Sequence, residues 1–223
     1  MYNLTTKFML TIKKSVLLFT IAVAISTACS KKPEESVAPN IANEELTTVQ
    51  LAVVNTHAPY DVDTATWQQL IGANGVPLPI DSSKAFLNLH ANTTYNVQVL
   101  IWDKTQTPPT NVTTEILARE NYHLFYFQPT PISPMNLIVS DTTTNIPGTP
   151  TSATGPYLNL TVKRTDHDTN VPPLQVGLID NFYTGDSSTG NLRLVLRHQP
   201  NAKNGTYAPG SSDLDVNYHI TIY

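Results

Sequence analysis

The chain has 223 residues, of which 13% are charged, and its formal net charge at pH 7 is −4. Without residues 1–28, which hold three lysines and no acidic residue, it carries 10 basic and 17 acidic residues, a net charge of −7. This acidic balance argues against a nucleic-acid partner, because phosphate binding requires a basic patch. Cys29 is the only cysteine, so neither an intramolecular disulfide nor a cysteine-based zinc site can form.

The N-terminal segment has the pattern of a signal peptide that ends in a lipidated cysteine. Two lysines precede an apolar stretch of about a dozen residues, shorter than the roughly 20 that a transmembrane helix requires. The small residues before Cys29 resemble the lipobox of bacterial lipoproteins, with Ser26 where leucine is commonest. We predict that residues 1–28 are removed and that Cys29 carries acyl chains; the alternative is a signal peptide cleaved without lipidation.

The segment that follows the cysteine is polar and interrupted by proline, without an apolar period. Residues 29–43 are therefore predicted to form a lipidated tether. We expect the protein to be anchored by lipid at the cell outer membrane, on its periplasmic or its surface-exposed side.

From residue 44 onward, short apolar and β-prone segments alternate with turn signals, which indicates an all-β fold. The stretch from Leu89 to Tyr95 resembles the tyrosine corner of immunoglobulin-like and fibronectin-III-like β-sandwiches, in which the tyrosine hydroxyl bonds to nearby backbone. Tyr95, Val97, Val99 and Ile101 alternate and are expected on one buried face. The predicted strands cover residues 46–54, 66–71, 84–89, 94–102, 122–127, 135–139, 157–163, 174–179, 191–198 and 214–223.

One short helix is predicted at residues 113–120. Thr113 or Thr114 suits its N-terminal cap, and Glu115 suits its first turn. No other segment shows a comparable helical pattern.

The domain organisation has two solutions. We expect a first β-sandwich lobe at residues 44–127, a Pro/Thr-rich loop or linker at 128–156, and a second β lobe at 157–223, because both halves repeat strands and Asp-x-Asp turns. A single larger Greek-key sandwich is the alternative.

A D-x-D-x-N pattern is the candidate metal site. Asp166, Asp168 and Asn170 could direct alternate oxygens at one Ca²⁺ ion. The sixth and twelfth loop positions hold Val171 and Gly177, which excludes an EF-hand. The alternative is ordinary turn chemistry, in which Asp and Asn side chains bond to the loop backbone.

The six histidines are scattered, and none has the local spacing of a transition-metal site. His57 and His167 lie in or beside Asp turns and are the pair that the fold could bring together. Arg197 and His198 follow a leucine-alternating strand and are expected to point outward.

Catalytic motifs such as Gly-x-Ser-x-Gly, a phosphate loop or His-Glu-x-x-His do not occur in the sequence. We therefore predict a protein that is not an enzyme. The alternatives are an extracellular hydrolase or glycan-processing enzyme, which would need facing carboxylates or clustered His and Asp, and a structural adhesin module.

Several phrases resemble a group of Bacteroidetes envelope lipoproteins commonly labelled "type 1 periplasmic binding fold superfamily protein". These phrases lie at residues 43–49, 111–116, 122–126, 164–168, 191–201 and 212–215. The resemblance implies an envelope location and a membrane partner reached through acyl chains. The strand pattern indicates an all-β fold, whereas that label describes an α/β one. We expect a β-domain that binds a ligand or partner, as an accessory to an outer-membrane transporter, without a cofactor other than the calcium considered above.

Overall fold

The computed structural model describes residues 46–134 and 150–223. Within these ranges the chain forms strands, one α-helix and a short 3₁₀ turn at residues 120–122. The helix α1 covers Val112–Ala118. The strands are β1 (Thr48–Asn55), β2 (Val62–Gln68), β3 (Asp81–Lys84), β4 (Phe86–Leu89), β5 (Thr94–Asp103), β6 (Thr110–Asn111), β7 (His123–Thr130), β8 (Leu160–Arg164), β9 (Ile179–Thr184), β10 (Ser188–His198) and β11 (Ser211–Ile222).

The strands form two sheets that pack as a sandwich, which confirms the predicted all-β class. The first sheet has the order β3-β2-β1-β5-β9-β8, with the short β6 paired to the end of β5. The second has the order β4-β11-β10-β7, in which only the β4–β11 pair is parallel. The chain crosses from the first sheet to the second at Ala85, between β3 and β4.

One hydrophobic core fills the space between the sheets. The alternating face of β5 contributes Tyr95, Val97, Val99 and Ile101, each no more than 3% exposed, as the sequence predicted. The other sheet contributes fully buried leucines of β10 and alternate residues of β11 to the same core. Burying each such side chain stabilises the fold by roughly 1.5–3 kcal/mol, which makes this shared core the main source of stability.

The two predicted lobes are one sandwich. Strand β5 of residues 44–127 pairs with β9 of residues 157–223, and β4 pairs with β11. Neither segment builds a complete sheet pair alone, because β4 and β7 of the first flank the β10–β11 hairpin of the second. The described residues therefore share one larger sandwich, and part of the predicted 128–156 connection belongs to β7.

The strand prediction failed around residues 174–184. A strand was predicted at residues 174–179, but β9 begins only at Ile179. The residues before it form a loop with one isolated bridge, between Gln175 and His167. Asp180 and Asn181 are residue types that are depleted in strands. The pairing of β9 with both β5 and β8 overrides that local preference. The strand predicted at residues 135–139 lies outside the described residues.

The predicted helix exists, but its cap lies two or three residues earlier than expected. The side chain of Asn111 accepts a hydrogen bond from the backbone N–H of Thr113 at 3.0 Å. Thr113 instead lies in the first turn, where its hydroxyl accepts a bond from the Ile101 N–H at 2.7 Å. The cap prediction was therefore wrong, because the threonine is used to attach α1 to β5.

The tyrosine corner is present. The backbone N–H of His90 donates to the hydroxyl of Tyr95 at 2.7 Å, and the neighbouring Leu89 is fully buried in the core. This bond fixes the turn that carries the chain from the second sheet back to the first.

We predict that Tyr95→Phe lowers the free energy of unfolding by about 1–3 kcal/mol, because the His90 N–H loses its partner while the ring stays in the core. Urea unfolding at neutral pH measures the change. Tyr60→Phe is the matched control, since Tyr60 is fully exposed and should change stability by less than about 0.5 kcal/mol. Equal effects of the two variants would contradict the role of the corner.

Candidate functional site

The predicted lipid-attachment residue, Cys29, lies outside the described residues. Among the residues that the structure describes, no helix is long and apolar enough to span a membrane.

The predicted calcium residues lie in the loop between β8 and β9, where their oxygens bind the loop itself. The Asp166 carboxylate accepts hydrogen bonds from the N–H groups of Gly177 at 2.7 Å and Leu178 at 2.9 Å. Asp168 accepts from the N–H of Leu174 at 2.8 Å and from the side-chain amide of Asn170 at 2.9 Å. These are the contacts of turn chemistry, in which side chains replace missing backbone partners.

Asp168 also forms a buried ion pair with Lys203. The ammonium lies 2.7 Å from the Asp168 carboxylate, both side chains are at most 1% exposed, and the ammonium also donates to the Glu120 carbonyl at 2.8 Å. Burial raises the pKa of Asp168, but the Leu174 N–H and the Lys203 ammonium more than offset this, so the pKa lies below its ordinary value. The pair links the β8–β9 loop to the loop after β10.

Calcium binding at Asp166, Asp168 and Asn170 stays a prediction from the sequence alone. In residues 46–134 and 150–223, no group of three or more His, Cys, Asp or Glu side chains is arranged to hold a metal ion. His57 and His167 are not brought together. His57 follows the end of β1, whereas His167 follows β8 at the other end of the first sheet.

A second histidine pair, which sequence spacing did not reveal, lies at one end of the sandwich, with His123 fully buried and the His198 side chain 11% exposed. His123 of β7 and His198 of β10 are register partners, and their rings stack with centroids 5.1 Å apart. Nδ1 of His123 lies 3.0 Å from the Arg119 carbonyl, and Nδ1 of His198 lies 3.8 Å from the Asp213 carboxylate. Antiparallel pairing of β7 with β10 creates this contact between residues 75 positions apart.

The expectation that Arg197 and His198 point outward is correct for Arg197 only, and its side chain is covered. Arg197 is the register partner of Leu124, which packs with Val195 and Tyr207 outside the main core. It is 7% exposed, because the loop between β10 and β11 folds back over it. His198 instead stacks on His123. The Arg197 guanidinium donates to the carbonyls of Pro209 at 3.0 Å and Gly210 at 2.6 Å and lies over the Tyr207 ring. The long β10–β11 loop is therefore held against the outer face of the second sheet.

Burial controls the protonation of His123. It lowers the pKa of His123 to about 4, and the neighbouring His198 adds to this effect. Burial also raises the pKa of Asp213 above its ordinary value. At neutral pH His123 is thus uncharged, as its position in the closed end of the core requires.

The opposite end of the sandwich exposes aromatic side chains. Here the turn after β1, the turn before β5 and the C-terminus meet. Tyr60 is fully exposed and Tyr223 is 57% exposed. The His90 ring lies 4.8 Å from the Tyr223 ring, and its Nε2 lies 3.6 Å from the Asp61 carboxylate. We call Tyr60, Asp61, His90 and Tyr223 the aromatic loop surface.

Hydrogen bonds fix the backbone under this surface. The Asn55 side chain donates to Asp61 at 3.0 Å and accepts from the His57 N–H at 2.9 Å, which closes the turn after β1. The Ala91 N–H donates to the Tyr223 carbonyl at 2.8 Å. The rings are therefore presented to solvent from a rigid base, an arrangement common where proteins recognise partners through aromatic side chains. Tyr60, an aromatic residue within a turn, was the sequence signal for this surface.

The described residues form an all-β sandwich whose loops expose aromatic side chains at one end. Comparison with known protein families, with characterised proteins and with solved structures finds no match to this chain.

We predict that His123→Gln reduces the acid sensitivity of the fold. The pKa of His123 is lower in the folded protein than the ordinary 6.5, so the unfolded chain binds its proton more readily. The stabilising contribution is fully present above pH 6.5 and is lost as pH falls toward 4. That pKa difference corresponds to a loss of about 3 kcal/mol.

Urea unfolding at pH 7 and pH 4 tests this, with His57→Gln, an exposed turn histidine, as the control. Burial raises the pKa values of Asp180 and Asp213, which opposes the effect because those residues favour the folded state as pH falls. The informative quantity is therefore the difference between variants. An identical pH dependence for His123→Gln and wild type would contradict the assignment.

Proposed function

We propose that this protein is an envelope lipoprotein, anchored through acyl chains on Cys29 at the outer membrane, whose β-sandwich binds a partner through the aromatic loop surface without catalysis. The observation that carries the proposal is the position of this surface. It lies at the end of β1 (Thr48–Asn55), whereas the described part of the chain enters this strand at its other end. Eight strand residues span about 25 Å, so the length of the domain separates this surface from Thr48.

The anchor is supported by the chemistry of the N-terminal sequence. The only cysteine of the chain follows an apolar stretch of signal-peptide length, at the position where lipid attachment requires it. Each buried CH₂ of an acyl chain contributes about 0.8 kcal/mol to membrane binding, so several chains make a stable anchor where one is marginal. The resemblance to Bacteroidetes envelope lipoproteins points to the same location.

Partner binding is supported by the kind of residues that the loops present. Exposed tyrosine rings contribute large contact areas at a low cost in conformational entropy. Asp61 belongs to this surface, and Asp186 accepts a hydrogen bond from Asn92 in the turn before β5; two carboxylates here favour a partner with basic groups. An outer-membrane protein, such as a transporter to which this domain is accessory, is the partner class that we propose, because it shares the membrane of the anchor.

We expect the mature protein extracted from membranes to begin at Cys29 and to carry acyl chains. Intact-mass measurement detects both features. The Cys29→Ala variant should leave the membrane fraction, since the thiol that carries the lipid is gone. Recovery of an unacylated wild-type chain in the soluble fraction would contradict the anchor.

We also expect a photo-crosslinking residue at position 60 to form a defined adduct with an envelope protein in intact cells. The control carries the same residue at Asn217, which is exposed on the outer face of β11. Tyr223→Ala should reduce the adduct at position 60 severalfold, because it removes the ring packed on His90. Adducts of equal yield at both positions, or none at position 60, would argue against this binding surface.

A further inference from the structure

The connection between β2 and β3 is a small, ordered hairpin. Its arms are joined by a hydrogen bond from the Leu78 N–H to the Leu70 carbonyl and by a bridge between Ile71 and Pro77. At its tip the Gly72 N–H donates to the Val76 carbonyl at 2.8 Å. We call residues 69–80 the apolar hairpin. Its backbone is held in place, so its exposed side chains keep a defined direction.

The apolar hairpin exposes large apolar side chains and no charge. Val76, Leu78 and Ile80 are 55%, 45% and 53% exposed. The sequence between Asp63 and Asp81 contains no charged residue. Soluble surfaces rarely leave contiguous apolar side chains uncovered, so such a patch marks a contact with another apolar phase or molecule.

The hairpin lies beside the point where the N-terminal segment joins the domain. The Gln69 N–H donates to the Thr47 carbonyl at 2.8 Å, and Gln68 is the register partner of Thr48. Sixteen residues separate Cys29 from Leu46. A chain of that length can span at most about 55 Å. A bilayer that holds acyl chains on Cys29 is therefore within reach of the hairpin.

We propose that the apolar hairpin inserts Val76, Leu78 and Ile80 into the interface of the bilayer that anchors Cys29. The inference rests on the proposed lipid anchor, and its ligand is a lipid surface. Three features of the hairpin suit contact with a lipid surface. Its tip carries no charge, it lies beside the start of β1, and it contains two prolines, Pro77 and Pro79. Proline has no N–H, so these positions bring no unsatisfied donor into an apolar phase.

Interfacial contact would fix the orientation of the sandwich. The lipid on Cys29 supplies the membrane affinity, and the hairpin supplies a second contact that prevents the domain from rotating freely about its tether. The aromatic loop surface, at the opposite end of β1, then faces away from the bilayer. The hairpin thus determines which loops are available to a partner.

The test uses the full-length protein recovered from bacterial membranes and reconstituted in phosphatidylcholine vesicles. Acylation blocks the Cys29 thiol, so an introduced Leu78→Cys provides one free thiol for an environment-sensitive fluorophore. The matched control is Tyr60→Cys, at the fully exposed opposite end. We expect a blue-shifted emission from position 78 and severalfold stronger quenching by brominated lipid there than at position 60.

The outcomes separate the two proposals. If intact mass shows no acyl chains on Cys29, the proposed anchor fails, whatever the fluorophore reports. If the protein is acylated and bound to vesicles but the two positions are quenched equally, the anchor stands and the hairpin inference is overturned. A blue shift at position 78 without quenching by brominated lipid means that another protein surface covers the hairpin, which also overturns it.

Discussion

The pairing of β5 on both of its edges is the constraint on which the rest of the structure depends. One edge of β5 joins β1 and the other joins β9, over a sequence separation that no local preference can bridge. This pairing places early and late strands in one sheet. It also sets which residues meet at each end of the sandwich. The two sheets share one hydrophobic core. If β5 and β9 separated, the apolar face of the second sheet would lose part of the first sheet that packs against it, and this face would be exposed to water.

The two ends of the sandwich are built differently. At the end where β7 starts and β10 finishes, polar side chains fix the loops. The Asp168–Lys203 ion pair connects two loops, and the Arg197 guanidinium donates to the successive carbonyls of Pro209 and Gly210. A buried ion pair of this kind is weak as a source of stability but costly to break. At the other end, hydrogen bonds fix only the backbone, and the rings of Tyr60 and Tyr223 remain in solvent. We propose partner recognition at that end.

The candidate sites differ in how much of their structure a local sequence pattern predicts. The D-x-D-x-N spacing is shared by cation loops and by turns, and only the tertiary position of Lys203 shows that an ammonium group already neutralises Asp168. The buried contact between His123 and His198 had no local signal, because antiparallel pairing brings together residues distant in the chain. In contrast, Asn111 as the helix cap could have been predicted, since asparagine is among the best capping residues.

The sequence by itself determined the all-β class, the buried face of β5 and the tyrosine corner, because side-chain alternation and turn chemistry act over a few residues. It also carried the pattern on which the lipid anchor is proposed. Tertiary structure decided that one sandwich forms instead of two lobes, that Ile179–Thr184 is a strand, and that Arg197 is buried. These features depend on which strands pair and which loops fold over them. Many strands share an apolar face, so pairing is chosen by the packing of the whole core and not by any one segment.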